Sequence, residues 1–203
     1  MKKNSILFII DNGHGGVING VPQTAGKRSP DFGDGILYEG VSNRRLADKV
    51  ILKCSELGIC CLKLVPELED ISLGERVKRI NRVAKRQKSV LLSIHSDAFT
   101  TEHANGWSAY TTKGGTKSDD VATILYKYAK IEGFKIRDDY SDGDPDKESD
   151  FYILRKTVCP AVLIENLFMT NKADYTTLLS ETGQDKLVKI MVETIKEISK
   201  NGL

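Results

Sequence analysis

Three side chains able to bind a metal or move a proton stand where apolar strands end. His14 follows "FIIDNG", His95 closes "VLLSIH" and Glu165 closes "AVLIE". His95 comes after Val90, Leu91, Leu92 and Ile94, and Glu165 comes directly after Ala161, Val162, Leu163 and Ile164. An ionisable group there gives up water at a cost unless something at the strand end needs it. A fourth residue, Glu39 in "ILYEG", lies between the first strand and its helix and can reach the same edge. Two neutral imidazoles and one carboxylate are a ligand set for catalytic Zn²⁺ that leaves the fourth position to water. The ion brings the pKa of that water toward ~7 and polarises a carbonyl oxygen. A second carboxylate, off the metal, can take the water's proton and pass it to a leaving amine. That chemistry is amide hydrolysis. The residues alone do not say which glutamate binds the metal.

Each residue also has a plainer account. Gly13, Gly15 and Gly16 could make a tight turn that His14 merely decorates. Glu39 could sit in the first turn of a helix, where a carboxylate suits the dipole. His95 could be a hydrogen-bonded core histidine. The plain accounts must hold for all four at once. The remaining histidine, His103 in "TTEHANG", reads as a loop residue near the site rather than a ligand.

These residues need elements to carry them. "SILFII" (5–10), "ICCLKLV" (59–65), "SVLLSIHS" (89–96), "GWSAYTT" (106–112) and "PAVLIEN" (160–166) read as strands. Between the first two, Leu46, Val50, Cys54 and Leu57 recur at helical spacing, and Gly58 stops the helix. Ser72 and Glu75 form a capping-box pattern before a helix with Val77, Ile80 and Ala84 on one side. Lys78, Arg79, Arg82, Lys85 and Arg86 are its solvated face. Val121, Leu125 and Tyr128 mark another helix, and Leu187, Met191, Ile195 and Ile198 mark the last. The acidic stretch 137–150 reads as a surface loop. Alternating β and α with continuous apolar strands predicts an α/β fold. It is a single domain over 1–203 with a central, twisted, mostly parallel sheet and helices on both faces. In such folds ligands sit beyond the carboxyl ends of the strands, where His14, His95 and Glu165 fall.

Length and composition fit one globular domain: 203 residues, 40% hydrophobic and 29% charged. Thirty basic against 28 acidic residues is too even to argue for nucleic acid or an anionic membrane. No run reaches the ~20 apolar residues of a membrane span. "MKKNSILFII" begins like a signal peptide, but Asp11 ends its apolar run and no small-residue cleavage site follows. The expectation is a first strand, and a protein that is cytoplasmic until released to act at the cell wall. Cys54, Cys60, Cys61 and Cys159 match no metal motif and read as small buried apolar residues in a reducing compartment.

The motifs "IDNGHGG", "YEGVSNRRLA", "SIHSDA" and "PAVLIENLFMTN", in that order, resemble the zinc-dependent N-acetylmuramoyl-L-alanine amidases, the catalytic domain type called amidase 3. The resemblance covers nearly the whole chain. It implies a twisted sheet flanked by helices, and hydrolysis of the bond between N-acetylmuramic acid and the L-alanine of the peptidoglycan stem. It assigns His14, Glu39 and His95 as zinc ligands and Glu165 as the catalytic glutamate. The chain departs from the family pattern at Asn12 (usually proline), Asp97 (commonly asparagine), and Asn166 and Leu167 (a small residue and glycine). None of these removes a ligand; they bear on substrate preference. Some members have a helix that blocks the site until a partner moves it. Here "TTKGGTKSDDVATILYK" reads as an ordinary amphipathic helix, so an open site with no protein partner is expected.

Two rivals remain at this level. A zinc carboxypeptidase uses similar ligands but usually places His and Glu a few residues apart, whereas His14 and Glu39 are 25 apart. A peptidoglycan-binding module without catalysis has no use for Glu165. The expected substrate is peptidoglycan or a muropeptide, cut by a lysin of phage type or by a cell's own remodelling enzyme. Arg155, after the acidic stretch, could meet a substrate carboxylate, but a surface arginine is the simpler account.

Overall fold

In the computed structural model, which describes residues 6–203, the apolar runs pair into a six-stranded sheet. Met1–Ser5, with the leader-like start and the first residue of the expected strand, lie outside the described residues. In chain order come β1 (Leu7–Asn12), a small hairpin of β2 (Val17–Ile18) and β3 (Val21–Pro22), α1 (Glu39–Glu56) and β4 (Cys61–Lys63). Next come α2 (Leu73–Ala84), β5 (Ser89–Asp97), β6 (Ser108–Thr111), α3 (Lys117–Ile131) and β7 (Lys147–Glu148). The chain closes with α4 (Tyr152–Lys156), β8 (Ala161–Phe168), α5 (Lys172–Leu179) and α6 (Glu181–Asn201). The sheet order is β4-β1-β5-β8-β6-β7; every pairing is parallel except β6 with β8.

Strand periodicity splits the core in two. Phe8, Ile10, Leu92, Ile94, Val162 and Ile164 point to one face, under α1, α3 and α6. Ile9, Leu91 and Leu163 point to the other, under α2 and α4, through Val77, Ile80, Ile153 and Leu154. Burial on both faces explains why these strands read as continuous apolar runs. No helix among the described residues is long and apolar enough to cross a membrane.

Four local expectations change. Leu57 is exposed, because α1 ends at Glu56 and the chain turns away at Gly58 in the left-handed region (φ 69°). The strand expected over 59–65 pairs only over Cys61–Lys63, at the sheet edge. The cap of α2 is half a capping box. Ser72 accepts from the Glu75 amide, but the Glu75 carboxylate turns to Arg79 at 3.3 Å. Cys60 is exposed rather than buried, and all four cysteines are free.

The stretch 137–150 is more than a loop. It supplies β7 to the sheet and buries Asp146, whose carboxylate accepts from Thr111 Oγ1 at 2.5 Å. Burial, then the neighbouring Asp144, pushes the Asp146 carboxyl up to about 7.

Candidate metal centre and active site

β1, β5 and β8 are adjacent and parallel, so their carboxyl ends share one edge. His95 on β5 lies directly beside Glu165 on β8 in the pairing register. His14 lies just beyond the end of β1. Glu39 is the first residue of α1, pinned there by its amide donating to the Lys27 carbonyl at 3.0 Å. Both accounts of Glu39 therefore hold: it starts a helix and it reaches the edge.

The glycines around His14 serve closeness rather than the turn itself. His14 holds the left-handed conformation (φ 66°), not Gly13, Gly15 or Gly16. A Cβ on Gly13 would overlap the His95 ring, and a Cβ on Gly40 would overlap the Gly15 carbonyl. A non-glycine residue in this conformation costs on the order of 1–3 kcal/mol and persists only where its surroundings hold it. Two arginines hold His14, since its carbonyl accepts from Arg44 at 3.3 Å and from Arg76 at 3.4 Å.

The first three groups converge tightly. Glu39 Oε2 lies 3.2 Å from His14 Nε2, and Glu39 Oε1 lies 3.0 Å from His95 Nδ1. The Ser96 amide also donates to Glu39 Oε1 at 3.2 Å. The two imidazoles meet edge to face with centroids 4.9 Å apart. Candidate ligand atoms of all three lie within 4.8 Å of one another. Burial alone would raise the Glu39 carboxyl, but the His14 and His95 imidazoles hold it well below the usual range. Burial would likewise lower His95, and the hydrogen bond with Glu39 raises it instead.

A cation fits this cluster. His14 Nε2 and Glu39 Oε2 are buried, face each other, and have no hydrogen-bond partner. An orphaned pair of this kind carries a desolvation cost that a shared ion would offset. Two imidazoles and one carboxylate suit zinc by donor type and count. Glu165 stands beside this set rather than in it. Its Oε2 is also buried and unpartnered, and burial pushes its carboxyl up to about 8.

His14, His95 and Glu165 line a cleft of ≈ 530 Å³, and Glu39 lies behind the two histidines. Lys27, Asp70 and Arg76 also line it, together with the apolar side chains of Ile71, Leu73, Phe151 and Tyr152. No residue of α3 lines it. His103 is exposed and off the cleft, and Arg155 pairs with Asp150 at 2.7 Å, also off the cleft.

Sequence reasoning missed the support beneath the site. Asp11 is buried on β1 and paired with Arg76 of α2, Nη1 to Oδ1 at 2.5 Å. Ser93 Oγ also donates to Asp11 at 2.6 Å, and Arg76 Nε donates to the Ile71 carbonyl at 2.8 Å. The signal was available: Asp11 follows Phe8, Ile9 and Ile10 just as Glu165 follows its own apolar run. Arg76→Met leaves the Asp11 carboxylate buried and unpaired, which costs about 3–5 kcal/mol. Denaturant titration should register that loss; a loss under 1 kcal/mol would mean the pair is slack.

The unusual residues after Glu165 also have work to do. Asn166 is fully buried, accepts from Trp107 Nε1 and donates to the His95 carbonyl, both at 3.2 Å. Leu167 is buried with a left-handed backbone (φ 67°), at the irregularity where β5 and β8 shift register between His95 and Asp97. Asn166 thus ties the strand carrying Glu165 to the strand carrying His95.

Residues 8–197 match the family described as N-acetylmuramoyl-L-alanine amidase. The chain is 31% identical over 192 residues to the N-acetylmuramoyl-L-alanine amidase LytC of Bacillus subtilis (strain 168), covering 91% of this chain and 34% of LytC. It is 24% identical over 203 residues to the endolysin of Bacillus phage SPP1, covering 96% of this chain and 66% of the endolysin. The chain thus spans about a third of the length of the first relative and just under two thirds of the second. Among solved structures, the N-acetylmuramoyl-L-alanine amidase from Clostridium difficile 630 superposes with a TM-score of 0.81 at 25% identity, covering 98% of this chain and 99% of that one.

Proposed function

Because this chain belongs to the N-acetylmuramoyl-L-alanine amidase family, we propose that residues 1–203 form a zinc-dependent catalytic domain. It cleaves the amide between N-acetylmuramic acid and L-alanine in peptidoglycan. The observation that carries the reading is the buried, unpartnered pair His14 Nε2 and Glu39 Oε2, completed by His95, with Glu165 beside it. His14, Glu39 and His95 hold the ion, which supplies Lewis acidity toward the amide carbonyl and makes water a better nucleophile. Glu165 takes the water's proton at Oε2 and delivers it to the leaving nitrogen of alanine. His95 and Glu165 keep their relative places because their strands are hydrogen-bonded side by side and Asn166 bridges them. Ile71, Leu73, Phe151 and Tyr152 give the cleft apolar surface against which the substrate can pack.

The test is one digestion of peptidoglycan by the purified protein. New N-terminal alanine with no new reducing sugar is the expected product pattern, since a glycosidase would work through two carboxylates flanking the sugar linkage. Chelation should abolish the activity and Zn²⁺ should restore it. New reducing ends, cleavage only between stem-peptide residues, or full activity in protein shown by elemental analysis to be metal-free would each overturn the reading.

A further inference from the structure

Lys27 lines the cleft with its charge only loosely engaged. Its backbone is fixed: the Lys27 carbonyl accepts from the Glu39 amide, and the neighbouring Arg28 bridges to Tyr38. Its side chain is half exposed and lines the cleft with His14, His95 and Glu165. Among the described residues its ammonium makes no hydrogen bond. Its nearest acidic atom is Glu39 Oε2 at 3.9 Å, beyond hydrogen-bond reach. The other non-histidine cation on the cleft, Arg76, is spent on Asp11 and on backbone carbonyls. A structural lysine would close on a carboxylate; this one is anchored at its root and loose at its tip.

We infer that Lys27 is a catalytic residue that donates a hydrogen bond to the substrate carbonyl oxygen as that oxygen becomes an oxyanion. The inference rests on the amidase reading above. When water attacks the amide carbon, the C=O π bond opens and its electron pair goes to oxygen. Glu165 holds the water's proton meanwhile. An ammonium that lines the same cleft as His95 and Glu165, with its Nζ 3.9 Å from Glu39 Oε2, is placed to meet that charge where it develops. A charge that meets the oxyanion inside a cleft partly lined by apolar side chains is worth more than the same charge in bulk water. Lysine suits the role as a point charge on a flexible stem, able to follow the oxygen as it moves out of the amide plane.

The experiment measures kcat, KM and metal content for Lys27→Met and Lys27→Arg on a soluble muropeptide. Lys27→Met should lower kcat by roughly 10²–10³-fold with KM nearly unchanged, as loss of one oxyanion donor does. It should keep the wild-type metal content, and Lys27→Arg should recover part of the rate. An unchanged kcat in Lys27→Met makes the lysine a solvated surface charge. A rise in KM alone makes it a ground-state anchor for a substrate carboxylate. Loss of metal makes it a support for Glu39. Each of these overturns the inference. Wild-type protein that releases no alanine amine would instead sink the amidase reading, so the two failures are distinguishable.

Discussion

Glu165→Gln should lower turnover by roughly 10²–10⁴-fold while keeping both the bound metal and the fold. The amide keeps the shape and a hydrogen-bonding group but cannot accept the water's proton. Glu165 Oε2 is buried with no hydrogen-bond partner, so no hydrogen bond of the fold is lost with its charge. Stability should rise in the metal-free protein. Burial, with the nearby Glu39 and Asp97 carboxylates, lifts the Glu165 carboxyl from 4.5 to about 8, against the pull of His95. The folded chain therefore keeps a proton that the unfolded chain releases. Stability falls as pH rises between about 4.5 and 8, then levels off. Glu165→Gln removes that decline, leaving the variant ahead above pH 8 by a few kcal/mol, about 5 at most. Rate, zinc content and denaturant titration at pH 5 and pH 8.5 together check this. A variant that loses zinc makes Glu165 a ligand, and one that stays fully active leaves the proton to another group.

Glu39→Ala should fail in the opposite manner: metal goes first and activity goes with it. Glu39 touches both histidines and the Ser96 amide, so its removal takes away one ligand and the group orienting the other two. Changing a residue that only orients a ligand already costs 10–100-fold in metal affinity. Loss of the ligand itself should exceed that, leaving the purified variant with little zinc. The carboxylate is held ionised by its histidines, so without it the two rings face each other with no acceptor between them. Elemental analysis after gel filtration gives the readout. If Glu39→Ala keeps one zinc per chain while Glu165→Gln loses it, the two glutamates have exchanged roles.

What the sequence disclosed and what it hid divide along physical lines. The continuous runs 89–96 and 160–166 could only be strands buried on both faces, and polar groups closing such runs had to meet at one edge. That logic reached His95 and Glu165 without any contact being known. It did not reach Arg76, because a lysine- and arginine-rich helix looks solvated unless a buried partner is known, and Asp11 lies 65 residues away. Lys27 was invisible for a similar reason: it sits in a long polar excursion, with its place set by one bond to the Glu39 amide. Asp146 was hidden within an acidic stretch whose composition says loop, although the sheet edge needed a partner for β6. Asn166 was noticed as a departure, but its task, joining two strands beneath the site, depends on side-chain placement that spacing does not encode.

The strand order also sets a schedule. β8 lies between β5 and β6, which do not pair with each other, so the sheet cannot close until residues 161–168 are available. A ribosome extends a chain by only about 5–20 residues per second. His14, Glu39 and His95 have all been synthesised by residue 95, long before Glu165 is added. Until then β6 and β7 have no neighbour linking them to β5. During its own synthesis, the chain acquires the three groups that could hold an ion well before the glutamate proposed to move the proton. A fragment broken off between β5 and β8 carries the three candidate ligands and lacks the glutamate proposed to move the proton.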